Sequence, residues 1–413
     1  MPGALAGLRI VDLTSVLMGP YATQLLADMG ADVIKVESAA GDSVRGIGPM
    51  RNAGMGPIFL QANRGKRSIV LDLKREQGRD VLARLLARAD ALIFNIRPRA
   101  MARLGLSYGE VERLNPGIIY AGLFGYGEDG PYAGRAAYDD LVQGEVGLPG
   151  LYTLACGGEP RYTPLALADR IVGLFGVHAV LGALWSRTRT GSGQSVEVPM
   201  FETMAHFVLG DHLGGHLHEE PSGSMGYPRL LSKDRRPYPT RDGHVCAVIY
   251  NDGHWRRFFQ VLHMESILEQ DPRFASITSR TRHIDEIYAM VASILGERTT
   301  AECVALLNSA DIPVAPLQTI DRLLHDPHLL AKGFFEAVEH PSEGRLRMPA
   351  NPIRFSRTPA RVDRPAPLLG EHSCEILAEL GYDRPCIDRL LAEGVTTGQP
   401  TRTAPNAPHQ GEV

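Results

Sequence analysis

"IIYAGLFGYGEDGPY", residues 118–132, decides how the N-terminal half of this chain is read. Gly125, Gly127 and Gly130 spell G-x-G-x-x-G behind a strand-like run, the pattern of a dinucleotide-binding turn. That turn needs a helix that starts inside the motif, because the pyrophosphate rests on the helix N-terminus. Here Pro131 follows the third glycine, "EDGPY" is turn chemistry, and helical spacing does not resume until after Arg135. An acidic residue should also close a second strand about 20 positions on, where "LVQGEVGL" reads as helix instead. The stretch is therefore expected to be a glycine loop at the carboxyl end of a strand, which is still a good place for a ligand.

Upstream of it the chain alternates. "GLRIVDLT", "DVIKVE", "RSIVLDL", "DALIFNI" and "GIIYAGLF" are short apolar runs of strand length. Between them lie "GPYATQLLADMGA", "REQGRDVLARLLARA" and "SYGEVERLN", with helical spacing. Strands separated by helices of this length predict βαβ units and a parallel sheet, hence an α/β, Rossmann-like large domain. Its ligand crevice belongs at the carboxyl ends of the strands. Downstream, "ADRIVGLFGVHAVLGALWSRTRTG" carries Gly173, Gly176, Ala179, Gly182 and Ala183 on one side, so another backbone can approach closely. The strand "QSVEVPM" and another helix follow. Residues 1–208 are read as the first part of the large domain and 209–225 as a linker. Residues 226–320 are read as a smaller α+β domain, opened by a hairpin at Asp242-Gly243. Residues 321–395 return to complete the large domain, and 396–413 form a polar, Pro-rich flexible tail.

Bulk properties narrow the function. Of 413 residues, 44% are hydrophobic and 22% charged, and the net charge of −4 leaves no electrostatic footprint for nucleic acid or an anionic membrane. No uninterrupted apolar run reaches the roughly 20 residues of a spanning helix, and the N-terminus lacks a charged-then-apolar signal pattern, so a cytoplasmic protein is expected. Cys156, Cys246, Cys303, Cys374 and Cys386 are scattered and odd in number, as reduced thiols would be. His212 and His216 are four apart and could share a helix face, but Gly214 and Gly215 break that helix, so a surface tract and no metal site are expected. Neither a phosphate-binding G-x-x-x-x-G-K-[ST] nor a G-x-S-x-G elbow occurs. On position alone Asp169, just before the small-residue helix, reads as an N-cap.

Several blocks together resemble one family. "GLFGYGEDGPYAGRAAYDDLVQ", "GPYATQLLADMGADVIKVE", "NRGKRSIVLDLKREQGRDVL", "NIRPRAMARLGLSY", "ADRIVGLFGVHAVLGAL" and "PAPLLGEHSCEILAELGY" are similar to segments of the class III CoA-transferases. Formyl-CoA transferase, carnitine CoA-transferase and the alpha-methylacyl-CoA racemases belong to that group. The resemblance runs from about residue 5 to 385 and implies an enzyme that moves CoA from an acyl-CoA to a free carboxylic acid. It makes Asp169 the nucleophile. A carboxylate would attack the thioester, pass through a mixed anhydride and an aspartyl-CoA thioester, and need no ATP and no permanently bound cofactor. A helix N-terminus would keep that carboxylate ionised at neutral pH.

Tyr138 and Asp139 separate the branches of the resemblance. The racemases carry histidine where this chain has Tyr138, so two-base proton transfer lacks a partner. Asp139 would assist Asp169 or orient substrate, or else be a surface charge beside Asp140. For CoA, the resemblance implies contacts at Leu71, Lys74, Asn95, Ile96, Arg97, Arg103 and Arg135, of which the cations suit phosphates. Leu17 stands where oxalate- and formate-using members carry glutamine, and "PSGSMGYP" only distantly matches their glycine-rich lid. A larger acyl group, with succinyl-CoA or another dicarboxyl-CoA as donor, is expected. A racemase or an intramolecular CoA-ester isomerase on the same fold is the alternative, and a CoA-binding protein without turnover the third reading. The family also implies an interlocked homodimer, which two chain passes between domains, near 209–235 and 320–340, would suit.

Overall fold

The apolar runs become strands of one parallel sheet. In the computed structural model, which describes residues 1–398, the chain runs β1 (Arg9–Leu13), α1 (Met18–Asp28), β2 (Asp32–Glu37), α2 (Pro57–Ala62), β3 (Lys66–Val70), α3 (Glu76–Leu86), β4 (Ala91–Phe94), α4 (Pro98–Arg103), α5 (Tyr108–Leu114) and β5 (Ile119–Phe124). It continues through α6 (Asp139–Glu145), α7 (Leu148–Cys156), α8 (Leu167–Thr190), β6 (Gln194–Pro199) and α9 (Met200–His212). Six strands pair in the order β3-β2-β1-β4-β5-β6, every pair parallel. The order reverses between β1 and β4, the place where sheets of this kind bind their ligands. The fold is α/β with a Rossmann-like sheet, as the alternation predicts.

Strand side chains alternate between faces. Val11, Leu13, Ile34, Val36, Ile69, Leu92 and Phe94 join Val81, Leu82, Leu85 and Leu86 of α3 in one core. Asp12, Lys35 and Lys66 have the opposite phase and lie on the side of the sheet where α1 packs, since Thr23 of α1 donates to Asp12 Oδ2 at 2.7 Å. α8 packs against α1, β5 and β6. Gly173 and Gly176 permit this approach: a Cβ at Gly173 would stand 2.9 Å from the Met18 carbonyl oxygen, and one at Gly176 2.8 Å from Leu123 Cδ2. By length and composition α8 is apolar enough to cross a membrane, contrary to the expectation from uninterrupted apolar runs. Charges at Asp169, Arg170, Arg187 and Arg189 confine its apolar stretch to the middle of the helix.

Under α1 sits a buried ionic layer that the strand patterns did not reveal. Asp12 Oδ1 accepts from the Thr14 backbone and hydroxyl at 2.8 and 2.5 Å, and Asp12 Oδ2 accepts from Lys66 at 3.0 Å. Lys66 also donates to the Pro20 carbonyl and to Asn63 Oδ1, which accounts for its three protons. Burial pushes the Asp12 carboxyl up, but Lys66, Lys35 and the two threonines outweigh it and hold it at about 2. Burial brings Lys66 down to about 8 against the attraction of Asp12. Lys35 donates to Asp42 Oδ2 at 3.0 Å and to the Thr14 carbonyl at 2.8 Å. Such pairs pin backbone more than they add net stability, because desolvation offsets their attraction.

That pinning meets a strained residue. Val16, between β1 and α1, has φ of 70°, a left-handed conformation that costs a β-branched residue about 1–3 kcal/mol.

The chain divides into two compact units: residues 1–142, 165–204 and 331 onward form the large one, 143–164 and 205–330 the small one. The small unit contains α7 and continues with α10 (Pro228–Leu231), β7 (Tyr238–Thr240), β8 (Gly243–Ala247), α11 (Asp252–Val261), α12 (Ser266–Gln270), α13 (Ile277–Arg282), α14 (Ile284–Gly296), α15 (Thr300–Ser309), β9 (Val314–Pro316), α16 (Ile320–Leu323) and α17 (Pro327–Ala331). Its three strands are antiparallel, in the order β7-β8-β9. Its core gathers Trp255, Phe258, Phe259 and Phe274 around α14 and α15. The chain then adds the hairpin β10 (Phe335–His340) and β11 (Gly344–Pro349), and α18 (Ser373–Glu379) and α19 (Arg384–Ala392), to the large unit. Thr396 still bonds the sheet, its hydroxyl donating to the Val70 carbonyl at 2.6 Å. The remainder of the tail expected over 396–413 lies outside the described residues.

Candidate active site

The glycine loop behaves as its turn residues require. β5 ends at Phe124, and no helix begins before Asp139. A Cβ at Gly125 would lie 2.4 Å from the Ala137 side chain, and Gly127 donates its N–H to Glu202 at 2.9 Å. The loop folds back on the chain, with Tyr126, Tyr132 and Phe201 packed as a trio at centroid distances of 5.5 to 6.0 Å. Arg135 stacks over the Tyr132 ring at 4.0 Å.

This loop delivers Asp139 to the start of α8. The helix begins at Leu167 with Ala166 as a cap that offers no side-chain bond. Asp169 is therefore the third helical residue and not the N-cap. Its own backbone N–H is capped from thirty residues upstream, donating to Asp139 Oδ2 at 2.9 Å. Helix N-termini leave such donors open, and Asp139 closes this one. Two carboxylates are thus brought together at one helix end. Burial, reinforced by the charge of Asp139, raises the Asp169 carboxyl to about 7, with Arg170 opposing. Burial and the like charge of Asp139 thus oppose the ionisation that a helix N-terminus would favour. Arg170 lies over the Tyr21 ring of α1 at 4.4 Å. Tyr138 points away from this packing and is 71% exposed.

The residues matched to CoA contacts divide into two sets. Lys74, Arg97, Arg103 and Arg135 are exposed and form no ion pair among the described residues. They retain the charge a phosphate needs, whereas Lys35, Lys66, Arg45 and Arg64 are occupied by buried carboxylates. Arg97 caps α4 and Arg103 ends it. Leu71 and Ile96 instead contribute side chains to the large core. Asn95 turns its amide onto Ser15: Oδ1 accepts from the Ser15 N–H at 3.0 Å and Nδ2 donates to the Ser15 carbonyl at 2.8 Å. Leu17 is 6% exposed, at the entry to α1. Asp42 and Lys35 escaped sequence reasoning; the signal was a lysine inside an otherwise apolar strand.

The small unit has a cavity of about 280 Å³ lined by Arg229, Arg235, Arg236, Tyr238, Cys246 and Tyr288 among others. It offers cations and no carboxylate, unlike the start of α8, where the Asp139 carboxylate meets the Asp169 backbone. Among the described residues no group of three His, Cys, Asp or Glu side chains is placed to hold a metal ion.

A family model described as CoA-transferase family III matches residues 5–373. The chain is 33% identical over 383 residues to a succinate–glutarate CoA-transferase of Agrobacterium fabrum, covering 91% of this chain and 95% of that protein. It is 31% identical over 395 residues to a succinyl-CoA:mesaconate CoA-transferase of Haloarcula marismortui, covering 92% and 97%. Among solved structures, a CAIB/BAIF family protein from Brucella suis superposes with a TM-score of 0.75 at 32% identity, covering 92% of this chain and all of that one.

Proposed function

The chain belongs to CoA-transferase family III and is a CoA-transferase acting on CoA thioesters, and from that premise we propose that Asp169 carries the CoA moiety between a dicarboxyl-CoA such as succinyl-CoA and a free carboxylic acid. The observation that carries this reading is the Asp139 carboxylate on the backbone N–H of Asp169, which brings two carboxyl groups together at one half-buried helix end.

The chemistry follows from the electrostatics. A carboxylate oxygen of Asp169 attacks the thioester carbonyl; the C–S bond breaks and CoA leaves as the thiolate, giving a mixed anhydride. The thiolate then attacks the Asp169 acyl carbon, releasing the first acid and forming an aspartyl-CoA thioester. The incoming acid reverses both steps. Acylation removes the charge of Asp169, so the burial and repulsion that disfavour the ionised ground state are relieved as the bond forms. The unpaired Lys74, Arg97, Arg103 and Arg135 are the phosphate contacts in this reading. Tyr138 occupies the place of the racemase histidine, and an exposed phenol there suits substrate positioning rather than proton abstraction. The choice of a dicarboxylic donor is supported by the acids in the relatives' names and by the apolar Leu17.

An interlocked, cytoplasmic homodimer completes the proposal. The chain leaves the large unit after residue 142, re-enters at 165, leaves after 204 and returns at 331. Trp185 and Leu174 on α8, and Leu154 and Tyr152 on α7, are large, apolar and exposed, the kind of surface an obligate partner covers.

The test is intact and peptide mass spectrometry after mixing the enzyme with a panel of acyl-CoAs. A CoA-sized adduct on the peptide holding Asp169, lost in Asp169→Ala, is expected with succinyl-CoA. Absence of any adduct combined with deuterium uptake at the acyl α-carbon would refute the transferase mechanism in favour of racemisation.

A further inference from the structure

Asn95 stands immediately after β4 and Ser15 shortly after β1, on the two sides of the point where strand order reverses. The clasp between them uses both polar atoms of the Asn95 amide on a single residue's backbone. The neighbouring groups are pinned as well. The Thr14 carbonyl accepts from Lys35, and the Val16 N–H donates to Asp42 Oδ1 at 3.0 Å. Three side chains, from β2, from the turn after it and from the end of β4, therefore hold four consecutive polar groups of the backbone. They hold it at Val16, whose φ of 70° a valine adopts only under restraint.

This turn feeds directly into α1. Leu17 caps that helix, and the carbonyl of Met18 lies against Gly173. Gly173 is four residues beyond Asp169 on α8, hence on the same helix face one turn along. The position of the turn thus sets the position of the α1 start against the helix end that presents Asp169. We propose that Asn95 is a positioning residue: together with Asp42 it locks the strained Ser15–Val16 turn that leads into α1, the helix packed against α8, and it acts on turnover through that turn and not by contacting CoA. The inference rests on the assignment of Asp169 as nucleophile and departs from the role the family resemblance implies for Asn95.

The test compares full-length wild type with Asn95→Ala, Val16→Gly and the double variant. Four quantities are read: kcat and KM with succinyl-CoA and glutarate, CoA affinity by calorimetry, and hydrogen exchange of the peptide spanning residues 13–19. Asn95→Ala is expected to lower kcat by about 10- to 100-fold, the scale set by a misplacement near 1 Å, with KM and CoA affinity unchanged. Exchange should accelerate in residues 13–19 and not elsewhere in the large unit. Val16→Gly should restore part of the lost kcat in the Asn95→Ala background, because glycine holds a positive φ without restraint. Loss of CoA affinity with loop exchange unaltered would overturn the proposal in favour of direct contact. So would independent, multiplying effects of the two substitutions. A wild-type enzyme that turned over no donor would instead refute the transferase reading, and the exchange comparison would still show whether Asn95 holds the turn.

Discussion

The pH dependence of turnover tests the electrostatics of the site most directly. Asp169 titrates at about 7 instead of the usual 3.8, raised by burial and by Asp139. At 1.36 kcal/mol for each ten-fold change in the ionisation equilibrium, moving the carboxyl from 3.8 to about 7 disfavours the ionised form by ~4 kcal/mol. In the proposed role of nucleophile, Asp169 reacts only when ionised. kcat/KM should therefore fall about ten-fold per pH unit below 7, to about a hundredth of its plateau near pH 5, where an ordinary carboxylate is more than about 90% ionised. The same shift has a stability consequence. A carboxyl with a raised folded-state value binds more protons folded than unfolded between the two values, so its contribution declines as pH rises from about 4 to about 7. Asp169→Asn removes that penalty. The variant should match wild type in urea melts near pH 4 and exceed it by a few kcal/mol near pH 8. The decisive perturbation is Asp139→Asn, which keeps an oxygen for the Asp169 N–H and removes the like charge. Its acidic limb should move to lower pH with the same pair of acids, which controls for substrate titration. A wild-type limb below pH 5, or a limb unmoved in Asp139→Asn, would refute the reasoning.

Three other outcomes are expected. Asp42→Asn leaves Lys35 buried without its anion and should destabilise the chain by about 3–5 kcal/mol in urea unfolding, with Lys66→Met comparable through Asp12. Gly173→Ala places a methyl 2.9 Å from the Met18 oxygen and 3.0 Å from the Tyr21 ring, and should cost about 1–3 kcal/mol of stability; an unchanged melting temperature would mean that α1 and α8 can separate freely. Sedimentation equilibrium should return about twice the 45.0 kDa chain mass, and a dilution series ending in stable monomer would exclude an obligate dimer.

Local pattern carried much of this molecule. The apolar runs became strands because Val, Ile and Leu at strand length, separated by amphipathic helices, have few ways to bury both sheet faces. Pro131 after Gly130 was enough to deny a helix start, and the structure has none before Asp139. The hairpin expected at Asp242-Gly243 is present one residue earlier than that pair suggests, with Arg241 and Asp242 at the turn and Gly243 already paired with Thr240. One other reading did not hold. Asp169 as an N-cap was one residue type in the right neighbourhood, but helix boundaries depend on backbone angles that sequence constrains loosely, and the cap of α8 is Ala166, three residues earlier.

What the sequence by itself determined was therefore the parallel α/β architecture, the family and the identity of the acidic residue at the head of the small-residue helix. All three reside in short runs of neighbouring residues. The tertiary structure alone decided which carboxylate faces which helix end, that Asp139 closes the N–H of Asp169 and raises its titration, and that Lys35, Asp42 and Asn95 converge on Thr14, Ser15 and Val16. These relations join residues 7 to 80 positions apart. Their energies depend on distance and burial in three dimensions, which are set only when the sheet has formed and the loops at its carboxyl edge have closed over one another.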